Sequence, residues 1–281
     1  MRLGYFGQPG TFTHAALLAS PRARAAEAVP WPGERETILA AAAGDVDAAL
    51  VPIENSLEGG VNATLDTLAL DAPGVRIVGE EVLPISHALI VRPGVAEETI
   101  EVVVSHPQPL GQCRRFLAEQ LPGRRLIAAT STAEAVRTVA EHDEPWAAIG
   151  ARAAALLHGC EVLRDGIEDE HGNETRFVWV SRDAGVFGGP AGAAAAKTSI
   201  VFHGAGDTSP GWLVRCLSEL AFRGINLTRI ESRPLKRRLG HYLFLVDLEG
   251  SEDDDAVAEA VAGLRAHCEQ VRVLGSYPVA S

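Results

Sequence analysis

The sequence predicts an α/β protein with a larger N-terminal unit and a smaller βαββαβ unit, joined by a linker. Its 281 residues exceed the ~150 residues of a typical domain, which favours two compact units over one. Gly, Pro and Ala crowd together at residues 183–196 without charge or periodicity, as in a flexible connector. Before that segment, short apolar runs alternate with helical patterns, an order typical of helices packed on a sheet.

In the N-terminal unit, each short apolar run predicts a strand and each apolar pattern at helical spacing predicts a helix. Gly44 marks the end of one helix, because glycine readily adopts the left-handed conformation that closes many helices. This alternation indicates a mainly parallel sheet with helices on both faces. Strands are predicted at residues 2–6, 48–53, 75–79, 102–104, 126–129 and 146–149, and helices at residues 14–19, 37–43, 61–70, 110–121 and 133–141.

After the linker, the predicted order is strand, helix, strand, strand, helix, strand, which is the ferredoxin-like split unit. A sheet of this type carries its helices on one face. We expect the free face or edge to pair with a second copy or to bind a ligand, as in a regulatory or dimerising module. The six elements are predicted at residues 198–203, 211–223, 226–233, 242–248, 255–267 and 271–276.

Composition and charge exclude several classes of protein. Asp and Glu total 37 against 25 for Lys and Arg, and the resulting net charge of -12 repels the phosphates of nucleic acids and anionic membranes. No uncharged apolar run approaches the ~18 residues of a membrane span. The first ten residues break up before a signal-peptide core could form. We therefore expect a cytoplasmic protein with neither nucleic acid nor membrane as a partner.

The spacing of potential ligand residues disfavours a metal or nucleotide site. The four cysteines stand singly, with no Cys-x-x-Cys pair, and no His-Glu-x-x-His pattern occurs. The loop at residues 7–11 lacks the Lys-Ser/Thr ending of a P-loop, and no Gly-x-Gly-x-x-Gly follows a strand. We expect no metal, ATP, NAD or other cofactor.

Polar residues follow four of the predicted strands, at residues 7–13, 54–56, 105–108 and 130–132. Open α/β sheets bind ligands at such strand ends, where free backbone N–H groups at helix starts attract anions. Taken singly, Thr11, Ser105 and Ser131 have a simpler interpretation as helix N-caps. Four such junctions together predict a small anionic ligand.

A polar turn at residues 169–173 leads into a strand that carries Arg176. A guanidinium binds a carboxylate through two parallel hydrogen bonds and stays charged at any working pH. Two interpretations remain open. Arg176 either attracts an anionic ligand or pairs with Glu170 or Glu174 at the surface.

Taken in order, these motifs resemble those of the prephenate dehydratases. The C-terminal segments are similar to the phenylalanine-binding ACT domain of the same family. The resemblance covers nearly the whole chain, and no chorismate mutase helices precede Met1, so the monofunctional form is expected. The matching segments are Gly7…Gly10-Thr11-Phe12, Pro52-Ile53-Glu54-Asn55-Ser56, Ser105-His106-Pro107-Gln108, Asn173-x-Thr175-Arg176-Phe177, Gly211-Trp212-Leu213-Val214 and the run from Asn226 to Pro234.

The resemblance implies a catalytic domain over residues 1–183, a linker over 184–196 and an ACT domain over 197–281. The catalytic domain would be two-lobed, like the periplasmic binding proteins. Lobe 1 would comprise about residues 1–79 and 174–183, and lobe 2 about residues 80–173. The chain would cross between lobes near residues 78–82 and return near 172–175. That would place Thr175 and Arg176 at a hinge whose closure removes water.

The activity implied is conversion of prephenate to phenylpyruvate, with loss of carbon dioxide and water, driven by aromatisation without a cofactor. Thr175 matches the family's catalytic threonine, and we expect its hydroxyl to donate a hydrogen bond to the departing hydroxyl. Arg176 would hold a carboxylate, and Phe177 would contact the ring or shape the wall. Beside the catalytic candidate Asn55, Glu54 is either protonated and acts as the acid, or ionised and orients Arg176 or Asn55. Further substrate-binding candidates are Thr11, Ser56, Ser105, Gln112 and His106, the last as a possible proton donor.

The ACT resemblance implies feedback inhibition by L-phenylalanine, bound at an interface in a homodimer or homotetramer. Trp212 stands where family members commonly have alanine, so its indole could narrow the effector pocket or supply a new wall. The effector-binding candidates are Gly211, Trp212, Leu213, Asn226, Glu231, Ser232, Arg233 and Pro234.

Two other functions remain open from the sequence. Arogenate carries an amino group where prephenate has a keto group, and its dehydration would yield phenylalanine directly. Alternatively, the same strand-end residues would suit a non-catalytic, two-lobed sensor of anions or amino acids.

Overall fold

A computed structural model describes residues 1–188, 196–204 and 209–280. Strands in these ranges form three sheets, two in the N-terminal unit (residues 1–188) and one in the C-terminal unit (residues 196–280). Most of the predicted linker at 184–196 and the last residue of the predicted 197–281 unit lie outside the described residues. In the described ranges, no helix is both long and apolar enough to cross a membrane.

The N-terminal unit alternates strands and helices as predicted, with additional elements. The strands Glu27–Trp31, Gly59–Gly60, Ala88–Val91 and Glu161–Arg164 and the helix Arg152–His158 were not predicted. In chain order the unit forms β1 (Arg2–Phe6), α1 (Phe12–Ala19), β2 (Glu27–Trp31), α2 (Glu34–Ala43), β3 (Ala48–Asn55), β4 (Gly59–Gly60), α3 (Asn62–Asp66), β5 (Arg76–Pro84), β6 (Ala88–Val91), β7 (Val102–Ser105), α4 (Pro107–Gln112), α5 (Arg114–Gln120), β8 (Arg125–Ala128), α6 (Thr132–Glu141), β9 (Trp146–Gly150), α7 (Arg152–His158), β10 (Glu161–Arg164) and β11 (Glu174–Ser181).

Both N-terminal sheets are mixed, so the prediction of a mainly parallel sheet was wrong. The first sheet has the order β2-β1-β3-β11-β5 with β4 beside β3, and the second has the order β10-β6-β9-β7-β8. In the first sheet, β11 runs antiparallel to both β3 and β5. The reason is topological, because Glu174 at the start of β11 pairs with Pro84 at the end of β5. The chain therefore leaves and re-enters the first sheet at the same end.

Helix and strand boundaries follow local signals with two exceptions. Gly44 closes α2 at φ +84°, as predicted. The helix expected over residues 110–121 is instead interrupted at Cys113, whose φ and ψ of −111° and 22° are not helical. Strand β5 continues to Pro84, and Ile85 N donates to the Asn173 carbonyl at 2.8 Å. The chain thus leaves the first sheet after residue 84, beyond the expected crossing at 78–82.

The C-terminal unit shows the predicted βαββαβ order. Its elements are β12 (Ala196–His203), α8 (Trp212–Ala221), β13 (Leu227–Pro234), β14 (Tyr242–Glu249), α9 (Asp255–His267) and β15 (Gln270–Pro278). The four strands form an antiparallel sheet in the order β13-β14-β12-β15, with β13 and β15 at the edges. Both helices pack on one face through a core that includes Phe202, Cys216 and Leu264.

The other face of this third sheet is not free, which corrects the expectation from the sequence. Leu245 and Tyr277 share one continuous core with Val178 and Val180 of the first sheet. The two sheets approach closely at Gly275, where an added Cβ would lie 2.0 Å from the carbonyl oxygen of Ile77. The C-terminal unit therefore covers one face of the first sheet, and α1 packs on the opposite face.

Candidate active site

Asn55 and Thr175 form a hydrogen-bonded pair at the end of the first sheet. They are direct neighbours in the register of the antiparallel strands β3 and β11. The Asn55 amide Nδ2 donates to Thr175 Oγ1 at 2.9 Å, and Thr175 is 9% exposed. The structure therefore brings together two of the residues that the sequence analysis predicted to be catalytic.

The orientation of the Asn55 amide follows from its other contacts. Its Oδ1 accepts from the backbone N–H groups of Leu57 and Glu58, each at 3.0 Å, so Nδ2 must be the donor toward Thr175. Nδ2 also donates to Asn173 Oδ1 at 2.7 Å. Since the Thr175 oxygen accepts a hydrogen bond, the hydroxyl still has its own proton to donate elsewhere.

Ser56 and Asn173 add hydrogen bonds between the end of β3 and the start of β11, beside this pair. The Ser56 hydroxyl donates to Asn173 Oδ1 at 3.2 Å and accepts from Glu174 N at 3.0 Å. Ser56 N donates to the Glu174 carbonyl at 2.9 Å. Asn173, which is 4% exposed, was not among the predicted site residues, although it stands two residues before Thr175. Sequence proximity to the threonine was the signal that could have identified it.

Arg176 and Glu54 face away from the Thr175–Asn55 pair, which corrects the expectation that all four share one pocket. The register between β3 and β11 shifts after Arg176, so that Phe177 pairs with Pro52 and one residue of β3 is left over. Consecutive residues of a strand point to opposite faces of its sheet, so Arg176 and Glu54 point away from Thr175 and Asn55. Arg176 and Glu54 consequently meet on the face covered by the C-terminal unit, at an N–O distance of 3.1 Å.

The Arg176 guanidinium is 10% exposed and is surrounded by carboxylates. It lies 3.2 Å from Glu80 and 2.5 Å from Asp247, in addition to Glu54. These partners differ from both earlier interpretations, an anionic ligand and a surface pair with Glu170 or Glu174. Its contact with Glu54 joins two residues that one of the two interpretations of Glu54 had paired.

Charge pairing shifts the pKa values in this buried group. Burial alone would raise the pKa of Asp247, but the guanidinium groups of Arg229 and Arg176 lower it to about 2. Burial would lower the pKa of Arg176, and the Asp247 carboxylate outweighs that effect and raises it. Both groups are therefore ionised at neutral pH.

Phe177 lies in the core of the first sheet. It is 1% exposed and packs in a cluster with Leu3, Leu50 and Trp179. Alternation along β11 places Phe177 on the same face as Thr175, two residues further along the strand. Of the two roles expected for Phe177, its burial fits shaping the wall of the site and does not fit direct contact with the substrate ring.

The other predicted substrate-binding residues form hydrogen bonds with nearby groups of the protein. Thr11 caps α1, with its hydroxyl accepting from His14 N at 3.3 Å and donating to the Gln8 carbonyl at 2.9 Å. His106 caps α4 through its ring Nδ1, which accepts from Gln108 N at 3.4 Å. Ser105 is fully buried and donates to the Ile149 carbonyl at 2.7 Å. The structure thus places the Ser105 hydroxyl within the second sheet, away from the strand-end surface expected for it.

Gln112 links the regions of the two N-terminal sheets. Its Nε2 donates to Glu58 Oε1 at 3.3 Å, in the loop that follows Asn55, and its Oε1 lies 2.8 Å from His87 Nε2. His87 is 2% exposed, and burial lowers its pKa, so the ring is neutral at neutral pH. The His87 ring also meets Phe12 of α1 edge to face, with centroids 5.5 Å apart. No spacing in the sequence signals the contact of Gln112 with Glu58 or that of His87 with Phe12, because each joins residues from the regions of different sheets.

The N-terminal loop approaches two helices that pack on the second sheet. Gly10 adopts φ +90°, and an added Cβ would sit 3.1 Å from the Ala154 Cβ and 3.6 Å from the Ala133 Cβ. The start of α1 therefore approaches α6 and α7 of the other sheet. Among the described residues, no group of three or more His, Cys, Asp or Glu is arranged to hold a metal ion.

The predicted effector residues separate into several environments. The Trp212 indole donates to the His267 carbonyl at 2.6 Å and packs beside Phe202 and Phe244, within the C-terminal unit. Gly211 precedes α8 at φ +77°, and Leu213 packs partly against the same core. Asn226 donates to Glu249 at 2.9 Å, Glu231 and Arg233 face the N-terminal unit, and Ser232 and Pro234 are exposed.

Comparisons with known proteins agree on one family. The family model described as prephenate dehydratase matches residues 3–185. The prephenate dehydratase of Mycobacteroides abscessus is 43% identical over 99% of this chain and 90% of its own length. That of Amycolatopsis methanolica is 41% identical over 98% of this chain and 88% of its own length.

Solved structures show the same similarity over the whole chain. The prephenate dehydratase of Arthrobacter aurescens, in complex with L-Phe, superposes with a TM-score of 0.89 at 40% identity, covering 99% of this chain and 90% of its own. A second structure, described as GqqA, a novel type of quorum quenching acylase, has a TM-score of 0.85 at 30% identity, covering 100% of this chain and 98% of its own.

Proposed function

Because this chain belongs to the prephenate dehydratase family, we propose that the Thr175–Asn55 pair is where it converts prephenate to phenylpyruvate. The single observation that carries this assignment is the hydrogen bond from Asn55 Nδ2 to Thr175 Oγ1. It leaves the threonine proton available for a substrate at the mouth of the cleft. The activity is that of a lyase, since a C–C and a C–O bond break without hydrolysis.

The reaction requires an electron pair to move from the ring carboxylate to the departing hydroxyl. As carbon dioxide leaves, the ring becomes aromatic and negative charge develops on the departing oxygen. The Thr175 hydroxyl donates a hydrogen bond to that oxygen. The Asn55 amide, by donating to Oγ1, polarises the O–H bond and strengthens this donation. One preorganised donor of this kind contributes ~3–4 kcal/mol to the transition state.

The carboxylates of prephenate need a different anchor from Arg176, whose guanidinium faces three carboxylates of this chain. The backbone N–H groups at the starts of α1 and α6 supply one, because helix N-termini carry partial positive charge. The approach of Gly10 to Ala133 brings these two helix starts to opposite sides of the same cleft. Ser56 and Gln112 line its edge near Asn55.

At the level of the fold, the two N-terminal sheets are the lobes of a catalytic domain of the periplasmic-binding type. The Gln112–Glu58 contact closes the lobes over the substrate and excludes water. The C-terminal βαββαβ unit is an ACT domain. The L-Phe bound to the similar Arthrobacter protein supports L-phenylalanine as its effector, acting in a homodimer or homotetramer.

The experiment is to incubate the purified protein separately with prephenate and with arogenate, and to measure phenylpyruvate and phenylalanine. We expect phenylpyruvate from prephenate. Phenylalanine from arogenate, with no turnover of prephenate, would instead make it an arogenate dehydratase. Binding of prephenate without turnover of either compound would favour the sensor. Release of an amine from an N-acylated substrate tests the activity named for the acylase relative.

A further inference from the structure

Six charged side chains meet where the C-terminal unit covers the first sheet, and we call them the interface charge cluster. Three are cations and three are carboxylates, so the group is neutral as a whole. Asp247 and Glu80 are each 1% exposed, so their charges depend on one another rather than on water. Besides the contacts of Arg176, Lys197 lies 2.9 Å from Glu80 and Arg229 lies 3.0 Å from Asp247. The cluster consists of Glu54, Glu80, Arg176, Lys197, Arg229 and Asp247.

The cluster lies back to back with the proposed active site. Thr175 and Arg176 are consecutive on β11, and Asn55 and Glu54 are consecutive on β3. One cross-strand pair, Thr175 with Asn55, faces the cleft. The next pair, Arg176 with Glu54, faces the C-terminal unit. A movement of β3 or β11 that displaces the Arg176–Glu54 pair therefore also displaces the Thr175–Asn55 pair, because the two pairs are adjacent on the same backbone.

Strand β13 of the C-terminal unit reaches the same strands from the effector side. Its alternate residues Arg229, Glu231 and Arg233 face the N-terminal unit, while Ser232 is exposed. Arg229 contacts Asp247, and Arg233 pairs with Asp66 at 2.9 Å. An added Cβ at Gly60 would lie 3.3 Å from Glu231 Oε2, and Gly60 pairs with Glu54 in the first sheet.

We infer that the interface charge cluster transmits effector binding from the C-terminal unit to the Thr175–Asn55 pair, with Asp247 and Glu54 as positioning residues. The inference rests on the proposed function. A buried carboxylate cannot leave its cationic partners without exposing an unpaired charge to a medium of low polarity. When β13 and β14 move, Arg176 must follow Asp247. The strand end that carries Thr175 then changes position as a unit.

The test measures thermodynamic coupling between the two sites. The Kd of L-phenylalanine is determined by calorimetry with and without saturating phenylpyruvate, the product, as a non-reacting ligand of the active site. The ratio of the two Kd values measures the coupling between the two sites, which is typically ~5–150-fold. We expect such a ratio for the wild-type protein. In Asp247→Asn and in Glu54→Gln it should fall to within about twofold of one, while L-phenylalanine still binds.

Glu252→Gln is the matched control. It removes an ion pair with Arg76 at the same interface, outside the cluster, and should retain the wild-type ratio. If Asp247→Asn does not fold, as judged by circular dichroism, Glu54→Gln decides, because the Glu54 side chain is 36% exposed. Steady-state kinetics should show the inhibition by L-phenylalanine of kcat, KM or both weakened in the same two variants.

A wild-type ratio near one would overturn the inference, as would a wild-type ratio retained by a folded Glu54→Gln or Asp247→Asn protein. An equal loss in Glu252→Gln would also overturn it, because general loosening of the interface would then explain the effect. Failure of the proposed function is a separate result. It would appear as absence of phenylpyruvate formation from prephenate by the wild-type protein.

Discussion

Thr175→Val removes the hydroxyl of Thr175 with little change in side-chain shape, and it tests the proposed donor directly. The side chain is 9% exposed, so valine fits the same space. The Asn55 amide keeps acceptors at Asn173 Oδ1, 2.7 Å away, and at the Glu174 carbonyl, 3.2 Å away. Only one hydrogen bond is lost, and we expect the free energy of unfolding to fall by about 1 kcal/mol.

The catalytic cost should be much larger than the cost in stability. Loss of a preorganised donor corresponds to ~10²–10³ in kcat. KM should change little, because the hydrogen bond strengthens mainly as charge develops in the transition state. Thr175→Ser is the matched control, since it retains the hydroxyl. We expect it to keep kcat within about tenfold of the wild-type value, well above that of the valine variant.

The assay is the initial rate of phenylpyruvate formation over a range of prephenate concentrations, with urea unfolding of each variant measured in parallel. Suppose that Thr175→Val folds and turns over prephenate within threefold of wild type, on the order of 0.7 kcal/mol. The threonine would then not be the donor, and the role assigned to the pair with Asn55 would be refuted.

Three further predictions concern the interface. Arg176→Met should lower the free energy of unfolding by about 3–5 kcal/mol in urea, because it removes a buried cation shared by Glu80 and Asp247 and leaves each carboxylate with only one cationic partner. The exposed-pair control Arg35→Met should cost less than about 1 kcal/mol, and equal effects would contradict the burial argument. The pKa of Asp247, about 2 when folded, lies below its ordinary value of 3.8, so its stabilisation is complete above about pH 4 and is lost as pH falls toward 2. Urea unfolding of Asp247→Asn should show a flatter dependence over that interval, and an unchanged acid slope would count against the ion pairs. Gly275→Ala should weaken the packing of the third sheet on the first by about 1–3 kcal/mol, because its Cβ would collide with Ile77. Proteolysis between the two units should then be faster than in the wild type. An unchanged rate of proteolysis would show that the sheets can separate there at no cost.

Elements with strong local signals were predictable from the sequence. The strand at residues 2–6 and the helix at 255–267 have the bounds expected, and Gly44 ends its helix as predicted. The mixed strand directions of the first sheet were not predictable, because the direction of β11 depends on where the chain returns from the second sheet. Apolar periodicity is the same for a strand of either direction.

For the candidate site, the Pro-Ile-Glu-Asn-Ser and Asn-x-Thr-Arg-Phe motifs identified both strands correctly. What the motifs could not provide was the face that each side chain occupies. Successive residues alternate between the two faces of a strand, but only the packing of the third sheet decides what each face contacts. Thus Asn55 meets Thr175 on one face, whereas Glu54 and Arg176 contact the C-terminal unit on the other.

Short-range chemistry encoded the family, the order of its elements and the pair of strands that bears the reactive threonine, since those depend on neighbouring residues and their turn and helix preferences. Which charges become buried together depended on folding in three dimensions. Arg176 contacts Asp247 across 71 positions of the chain and Glu54 across 122. No local pattern specifies such a pairing, because it arises only when the third sheet packs against the first and removes water from between them.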